Sequence, residues 1–319
     1  MQALKKIKRM MGKQNIILLL LLLGMLQAVA QQDPQFSTYM FNPMAVNPAY
    51  AGSRNVMSAV LVQRSQWIGI KGAPETQTLA VHSPLKNKKM GVGLQLINDK
   101  IGARNTQNIT AVYAYRIRLG LGKLAFGLKA GFINYHVNID EIKFRDNNSS
   151  FPSETQSVLK PTFDFGVYYN TNTYYAGLTV EHLNHIQNNS VASTVGINNA
   201  NISNTHVSFI GTAGKAFKIN RDLMLKASTL IRVIDGVQNV DLNTGVLIKH
   251  KIFFGLSYRS SNALVLITEI NISKSLRAGF GYDVDRLNWA TSTAGTLEFF
   301  VGYDLKKRKT TRVSSPRYF

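Results

Sequence analysis

Residues 295–306 read GTLEFFVGYDLK, and apolar side chains recur there at every second position. One face of this stretch carries Leu297, Phe299, Val301, Tyr303 and Leu305, and the other carries Glu298, Phe300, Gly302, Asp304 and Lys306. A helix would spread these charges around its circumference, whereas a strand places them on one face. This stretch is therefore predicted to form a β-strand.

The same two-residue period extends over most of the chain from Val56 onward, and it is clear again in residues 223–233 and 275–284. Most of the predicted strands have the roughly 9–11 residues that a tilted transmembrane strand needs. The pattern predicts fourteen strands, near 54–64, 76–84, 88–98, 106–118, 122–136, 161–170, 173–183, 204–217, 220–234, 238–249, 251–259, 262–272, 274–285 and 294–306.

The connections between these strands differ in length. All the long ones, near 65–75, 137–160, 184–203 and 286–293, follow odd-numbered strands. Outer-membrane barrels show this asymmetry, with short periplasmic turns and longer outer loops. We therefore predict an all-β fold, a 14-stranded antiparallel transmembrane β-barrel with both mature termini in the periplasm. A soluble β-sandwich has no reason to sort loop lengths in this way, and a β-propeller would show a repeat period.

The first thirty residues resemble a secretory signal, with five basic residues, an apolar stretch at 16–26 and small residues at 28–30. That stretch is too short to span a bilayer as a helix, and a retained short anchor is the alternative. There are no cysteines, so thiol chemistry and disulfides are excluded. The predicted organisation is a signal peptide at 1–30, an irregular segment at 31–52 that is periplasmic or a plug, a barrel at 53–306 and a basic periplasmic tail at 307–319.

Charge is distributed unevenly in a chain of formal net charge +20. The predicted short turns carry Lys86, Lys88, Lys89, Lys123, Lys218, Arg221, Lys249, Lys251 and Lys274. Such a positive ring attracts acidic surfaces, although solvation of turns beside anionic lipid head groups explains the same pattern. The secretory signal and the lack of an aromatic platform argue against a nucleic-acid partner.

Charges of both signs are predicted to face the lumen. A mixed set fits a filled interior better than a large pore of one sign. The set comprises Arg116, Lys129, Asp164, Glu181, Lys226, Arg232, Asp241, Glu269, Arg277 and Glu298.

Catalytic chemistry has little support in the sequence. There is no Gly-x-Ser-x-Gly motif, and the six histidines are scattered. The pair His182 and His185 follows Glu181 at a strand end, where the two imidazoles would not share a helical face as a zinc site requires. An outer-membrane enzyme would need a converging Ser, His and acid set. We predict no enzyme activity, no metal site and no cofactor.

The predicted mature chain opens with an irregular aromatic segment. The prolines in Asn42-Pro43 and Asn47-Pro48 lack an N–H and bias the preceding residue away from helix. The aromatic residues interleaved with these breaks are Phe36, Tyr39, Phe41 and Tyr50. The segment is too apolar for a typical linker, so we expect it to plug the periplasmic end of the barrel.

Three motifs together resemble the PorP/SprF family of type IX secretion system outer-membrane proteins: the opening segment, RSQWIGIKGAPET at 64–76 and SPRYF at 315–319. The resemblance implies a non-enzymatic barrel in type IX secretion and gliding. Such a protein would help to deliver or anchor a large secreted surface protein, such as an adhesin, through that protein's C-terminal domain. It would also have a periplasmic partner linked to the cell wall, and outer-membrane lipid around it.

Two segments are candidates for partner contact. The first outer loop offers Arg64, Gln66, Trp67, Ile68 and Ile70, and aromatic anchors dominate binding interfaces. Packing over the barrel mouth or membership of the interfacial aromatic belt are the alternatives. The tail offers a periplasmic partner Lys306, Lys307, Arg308, Lys309, Arg317, Tyr318 and Phe319, unless it is a barrel-assembly signal. The alternative function is a channel or transporter for small hydrophobic molecules with an N-terminal plug.

Overall fold

The structure, a computed structural model, describes residues 34–138, 156–186, 206–234, 236–261, 263–285 and 294–305. Fourteen strands in this part of the chain form one closed antiparallel barrel, in which each strand pairs with its neighbours in the sequence. The first and last strands close it, from Met57 opposite Leu305 to Ser65 opposite Leu297. The predicted 14-stranded antiparallel barrel is confirmed.

The strand ends differ from the predicted ends by a few residues, most of all at the sixth strand. The strands are β1 (Met57–Ser65), β2 (Glu75–Pro84), β3 (Met90–Ile101), β4 (Arg104–Leu119), β5 (Gly122–Val137), β6 (Gln156–Asn170), β7 (Tyr174–Glu181), β8 (Ser208–Lys218), β9 (Leu223–Ile234), β10 (Val237–Ile248), β11 (Ile252–Arg259), β12 (Ala263–Asn271), β13 (Leu276–Asp285) and β14 (Thr296–Leu305). A short 3-10 helix, Leu183–Ile186, follows β7.

The alternation in β14 separates the inside of the barrel from the outside. Glu298 and Phe300 are buried, whereas their neighbours Phe299, Val301 and Tyr303 are exposed on the outer surface. Exposed apolar side chains recur on the outer faces of the other strands. Burying such a face in lipid removes apolar area from water, at about 25 cal/mol per Å². The sequence period therefore produces an apolar exterior and a polar, packed interior.

No helix among the described residues is both long and apolar enough to cross a membrane.

The barrel has two ends, which we name after the connections they carry. The even end carries the turns that follow even-numbered strands, at 85–89, 120–121, 171–173, 219–222, 249–251 and 272–275. The nine basic residues predicted for these turns lie on or beside them, and all nine are exposed. The odd end carries the opposite connections, including the loop at 66–74, which we call the odd-end loop.

Residues 34–56, the lumen segment, precede β1 and pack inside the barrel. The segment contains three short 3-10 turns, Tyr39–Phe41, Pro43–Ala45 and Pro48–Tyr50. Pro43 and Pro48 each open a turn, where the missing N–H has no partner to lose. The Asn47 side chain accepts the Ala49 N–H at 2.9 Å and so caps the third turn.

The lumen segment runs through the barrel from the odd end to the even end. At one extreme, Ser37 bonds Glu298, which pairs with Arg64 next to the last residue of β1. At the other, Arg54 bonds Asp304, which is level with the start of β1. The segment thus occupies the length of the lumen, whereas the sequence interpretation placed it at one end.

Candidate functional site

The odd-end loop is held by backbone hydrogen bonds on both sides. Ile68 donates to Gly295 O at 2.9 Å and accepts from Ala294 N at 3.0 Å, which ties the loop to the start of β14. Gly102 donates to Gly72 O at 2.9 Å, which ties it to the turn between β3 and β4. The loop therefore has a fixed path across the barrel rim.

This path presents two large apolar side chains to solvent. Trp67 is 42% exposed and Ile70 is 48% exposed, whereas Gln66 and Ile68 are half-buried. The Trp67 backbone has φ of 46°, a left-handed conformation that is uncommon for a residue other than glycine. Its N–H donates to Thr296 Oγ1 at 3.3 Å. Strained backbone held by its surroundings is a recognised feature of binding sites.

A cavity of about 390 Å³ lies between the odd-end loop and the β3–β4 turn. Trp67 and Ile70 line one side, and Lys100 and Gly102 line the other. In protein interfaces, a few anchor side chains beside pockets supply most of the binding energy. Exposed aromatic and aliphatic side chains lie beside a pocket here. The loop and cavity together form the candidate partner-binding site.

Directly beneath the loop, a buried ion network fixes the start of the lumen segment. Arg64 lies 2.8 Å from both Asp283 and Glu298. Arg259 lies 3.0 Å from Asp241 and 3.4 Å from Asp283. These groups belong to β1, β10, β11, β13 and β14.

Ser37 and Thr38 insert into this network. The Ser37 hydroxyl donates to Asp283 at 2.7 Å and accepts from Arg64 at 2.9 Å. Glu298 accepts the backbone N–H groups of Ser37 and Thr38, at 2.8 and 2.9 Å, and the Thr38 hydroxyl. Buried charges are tolerated when they are paired and hydrogen-bonded, and each charged group of this network has at least one ion-pair partner.

Arg64 was predicted to contact a partner, and the structure corrects that assignment. Its side chain is buried and points into the lumen, because β1 continues through Ser65 and residue 64 falls on the inner face. It lies two residues before the odd-end loop, in the strand from which the loop departs, and its ion pairs connect that strand to β13 and β14. Trp67 and Ile70 remain exposed, and Gln66 and Ile68 flank them.

The middle of the lumen segment is packed by aromatic contacts. Phe41 stacks on Phe300 with ring centroids 4.7 Å apart and meets Phe253 edge-on at 5.7 Å. The Asn243 amide donates to the Tyr39 hydroxyl at 2.6 Å. Each buried aromatic ring contributes roughly 1.5–3 kcal/mol relative to an exposed one.

The even-end half of the segment is packed in the same way. Tyr50 meets Tyr168 edge-on at 5.6 Å, and the Asn47 amide donates to Val167 O at 3.0 Å. Along the whole lumen segment, the predicted plug residues Phe36, Asn42, Asn47, Pro48 and Tyr50 are buried, whereas Pro43 is half-buried.

Glycines on the inner wall make room for the segment. A Cβ at Gly127 would lie 2.1 Å from Ala49 N, and one at Gly91 would lie 2.1 Å from Ala51 O. Both separations are far below a van der Waals contact, so no other residue fits without moving the segment. Within the stretch predicted to be irregular, the described residues 34–52 form only short 3-10 turns and connecting backbone. They pack closely against the barrel wall at these glycines.

Three predictions lie partly or wholly beyond the described residues. The tail residues from Lys306 to Phe319, the signal at 1–30 and residues 31–33 are outside them.

Within the described part of the chain, no group of three His, Cys, Asp or Glu side chains is arranged to hold a metal ion. His182 instead lies beside Thr162, with its Nδ1 3.2 Å from that hydroxyl oxygen.

Solved barrels have a similar architecture at low identity. CymD, a monoaromatic hydrocarbon channel, is 8% identical with a TM-score of 0.51, over 84% of this chain and 94% of that one. A Pseudomonas aeruginosa FadL homologue is 11% identical (TM-score 0.46, 87% and 96% covered). Acinetobacter baumannii Omp33 is 6% identical (TM-score 0.46, 79% and 100% covered). The similarity to CymD shows the fold alone. A comparison with curated proteins gives no match.

The family comparison goes further. The profile of the family described as "Type IX secretion system membrane protein PorP/SprF" matches residues 28–303, most of the chain. The chain belongs to the PorP/SprF family. The predicted resemblance is therefore confirmed, and the barrel is an outer-membrane component of the type IX secretion system.

The PorP/SprF match includes both parts of the candidate site. The lumen segment and the odd-end loop lie within residues 28–303, whereas the tail at 306–319 lies beyond the matched range. Both described features therefore lie within the part of the chain that matches PorP/SprF.

Proposed function

We propose that this PorP/SprF protein is a non-enzymatic anchor that holds a secreted surface protein, through the C-terminal domain of that protein, at the odd-end loop. The observation that carries the proposal is the presentation of Trp67 and Ile70. Both are exposed on a loop that backbone hydrogen bonds to β14 and to the β3–β4 turn hold in place. A preorganised apolar anchor loses little conformational freedom when a partner binds.

The orientation belongs to the same proposal. The even end faces the periplasm, since outer-membrane barrels have their short turns there. The chain leaves β14 at Leu305 on that side, which gives the basic tail access to a periplasmic, cell-wall-linked partner. The described start of the lumen segment lies near the odd end, so in this orientation residue 34 lies toward the outer side.

The packed lumen supports anchoring over transport. Ser37, Phe41, Asn47 and Arg54 contact the barrel wall at successive levels from the odd end to the even end. A channel for small hydrophobic molecules needs a continuous apolar path with an opening. The rival function therefore requires the lumen segment to leave its position.

The test removes the exposed anchors from the odd-end loop. A Trp67→Ala, Ile70→Ala double variant should retain much less of a type IX C-terminal-domain cargo on the cell surface. Truncating central interface anchors typically costs at least 2 kcal/mol each, or roughly thirtyfold in affinity. Surface retention is measured by labelling intact cells, with barrel folding checked by heat-modifiable migration.

Leu121→Ala is the matched control, because Leu121 is 94% exposed and lies in a turn of the even end. It removes a comparable apolar side chain from the opposite rim and should leave cargo retention unchanged. Wild-type retention by the double variant at normal expression would refute a cargo-binding role for the loop. Equal losses in both variants would show a general effect on the barrel and would also count against the proposal.

A further inference from the structure

A second cavity, of about 520 Å³, opens at the even end, on the opposite rim from the odd-end loop. The turn residues Lys251 and Lys274 line its mouth. Met40 and Phe41 of the lumen segment line it deeper in the barrel. We call it the even-end cavity.

The even-end cavity carries an excess of positive charge. Its basic residues are Arg54, Lys226, Lys251, Lys274 and Arg277, and its acidic residues are Glu269 and Asp304. Five positive and two negative side chains leave a formal charge of +3 with His250 neutral. One pair is neutralised internally, since Arg54 lies 3.0 Å from Asp304.

Arg277 is a buried cation of this cavity with an incomplete set of hydrogen bonds. It is buried, and its Nη2 donates to Phe41 O at 3.2 Å, but its Nε has no hydrogen-bond partner among the described residues. A buried guanidinium with too few acceptors carries a desolvation penalty that a carboxylate nearby would offset.

The walls also contain apolar surface, from Phe41, Leu247 and Leu276. A simple inorganic anion would leave this surface uncovered. A peptide with alternating acidic and apolar side chains would meet both kinds of wall. The deeper lining residues Phe41, Arg54 and Arg277 are buried inside the barrel. A lipid in the surrounding bilayer contacts the outer faces of the strands and does not reach them.

We propose that the even-end cavity binds an acidic peptide segment of a partner protein that approaches this end of the barrel. The chain's own tail is a poor occupant, because residues 306–319 contain six basic and no acidic residues. The exposed basic turns around the mouth would raise the local concentration of such a segment by long-range attraction. The proposal does not depend on what the odd-end loop binds.

The test uses the purified full-length barrel in detergent and a fluorescent octapeptide of alternating glutamate and leucine. Fluorescence polarisation should show saturable binding, with no binding of the same peptide carrying glutamine for glutamate. The double variant Lys251→Gln, Lys274→Gln should weaken binding at least about tenfold, which corresponds to about 1.4 kcal/mol. Both side chains are exposed, so the fold should persist.

Lys86→Gln, Lys123→Gln is the matched control, since these exposed residues lie at the same rim but do not line the cavity. It removes the same charge and should weaken binding by less than about twofold. Equal weakening by the two double variants would mean that rim charge alone attracts the peptide, and would overturn the site. Absence of saturable binding would overturn it too, as would an affinity that rises after truncation following Thr310, because the tail would then be the occupant.

Discussion

The Arg64 guanidinium lies 2.8 Å from the Glu298 carboxylate, across the seam at which β1 and β14 close the barrel. The same carboxylate accepts the backbone N–H groups of Ser37 and Thr38. The odd-end loop begins just two residues after Arg64. One buried ion pair therefore connects barrel closure, the start of the lumen segment and the base of the candidate partner-binding site.

Removing the Arg64 cation should weaken barrel closure, the start of the lumen segment and the base of the candidate partner-binding site. Arg64→Met leaves Glu298 and Asp283 without their closest cation, and breaking a buried pair in this way costs about 3–5 kcal/mol. We expect the folded form to be lost at a lower temperature in heat-modifiability gels, with reduced cargo retention at permissive temperature. Arg118→Met, which replaces an exposed arginine, should change neither property. A fully stable Arg64→Met barrel would show that the network contributes little.

Filling the space at one inner-wall glycine should displace the lumen segment. In Gly127→Ala the new methyl would lie 2.1 Å from Ala49 N, and overpacking of this kind typically costs about 1–3 kcal/mol. Single-channel recordings should show a larger or more frequent conductance than in wild type. Gly211→Ala is the control, because its methyl would meet nothing closer than 3.7 Å. If the wild-type barrel shows a steady conductance, and neither Gly127→Ala nor deletion of 34–52 changes it, the segment is not a plug.

The absence of cysteine makes the orientation directly measurable. A single cysteine introduced as Lys71→Cys lies in the odd-end loop, and one introduced as Lys86→Cys lies in an even-end turn. Both sites are exposed. A membrane-impermeant maleimide should label position 71 in intact cells and position 86 only after the outer membrane is opened. The reverse pattern would place the odd end in the periplasm.

Truncation after Thr310 tests the tail. We expect it to preserve membrane insertion and to abolish co-purification of a periplasmic partner, because it removes Arg317, Tyr318 and Phe319. Exchanging Lys306–Lys309 for glutamine in the full chain should weaken the same association in a salt-dependent way. Loss of insertion on truncation would make the tail an assembly signal, and unchanged co-purification would remove its docking role.

The barrel could be predicted from the sequence because each strand carries its own period. In β14, the residues placed on the two faces from their spacing are the residues found inside and outside. The predicted lumen charges, such as Asp164, Glu269 and Glu298, are buried on the inner face for the same reason. Periodicity is a property of each strand's own sequence, so it can be recognised without knowing how the rest of the chain folds.

The position of Arg64 could not be predicted in the same way. Its partners, Asp283 and Glu298, are more than 200 residues away in the sequence and become neighbours only when the barrel closes. The direction of the lumen segment was missed for a similar reason. Its prolines indicate irregular structure. Gly91 and Gly127 leave the space in which it packs against the barrel wall, but nothing in the sequence around them shows which residues will pack there.

The location of the lumen segment constrains how this molecule can be assembled. The segment is joined directly to β1, and the pairing of β1 with β14 completes a closed wall around it. We therefore infer that the lumen segment takes its place before β14 pairs with β1, since a segment with three 3-10 turns would have to be drawn through an already closed barrel. We expect seam formation to be the late step of biogenesis, and a barrel stalled at that step to hold its occupant in an open, curved sheet.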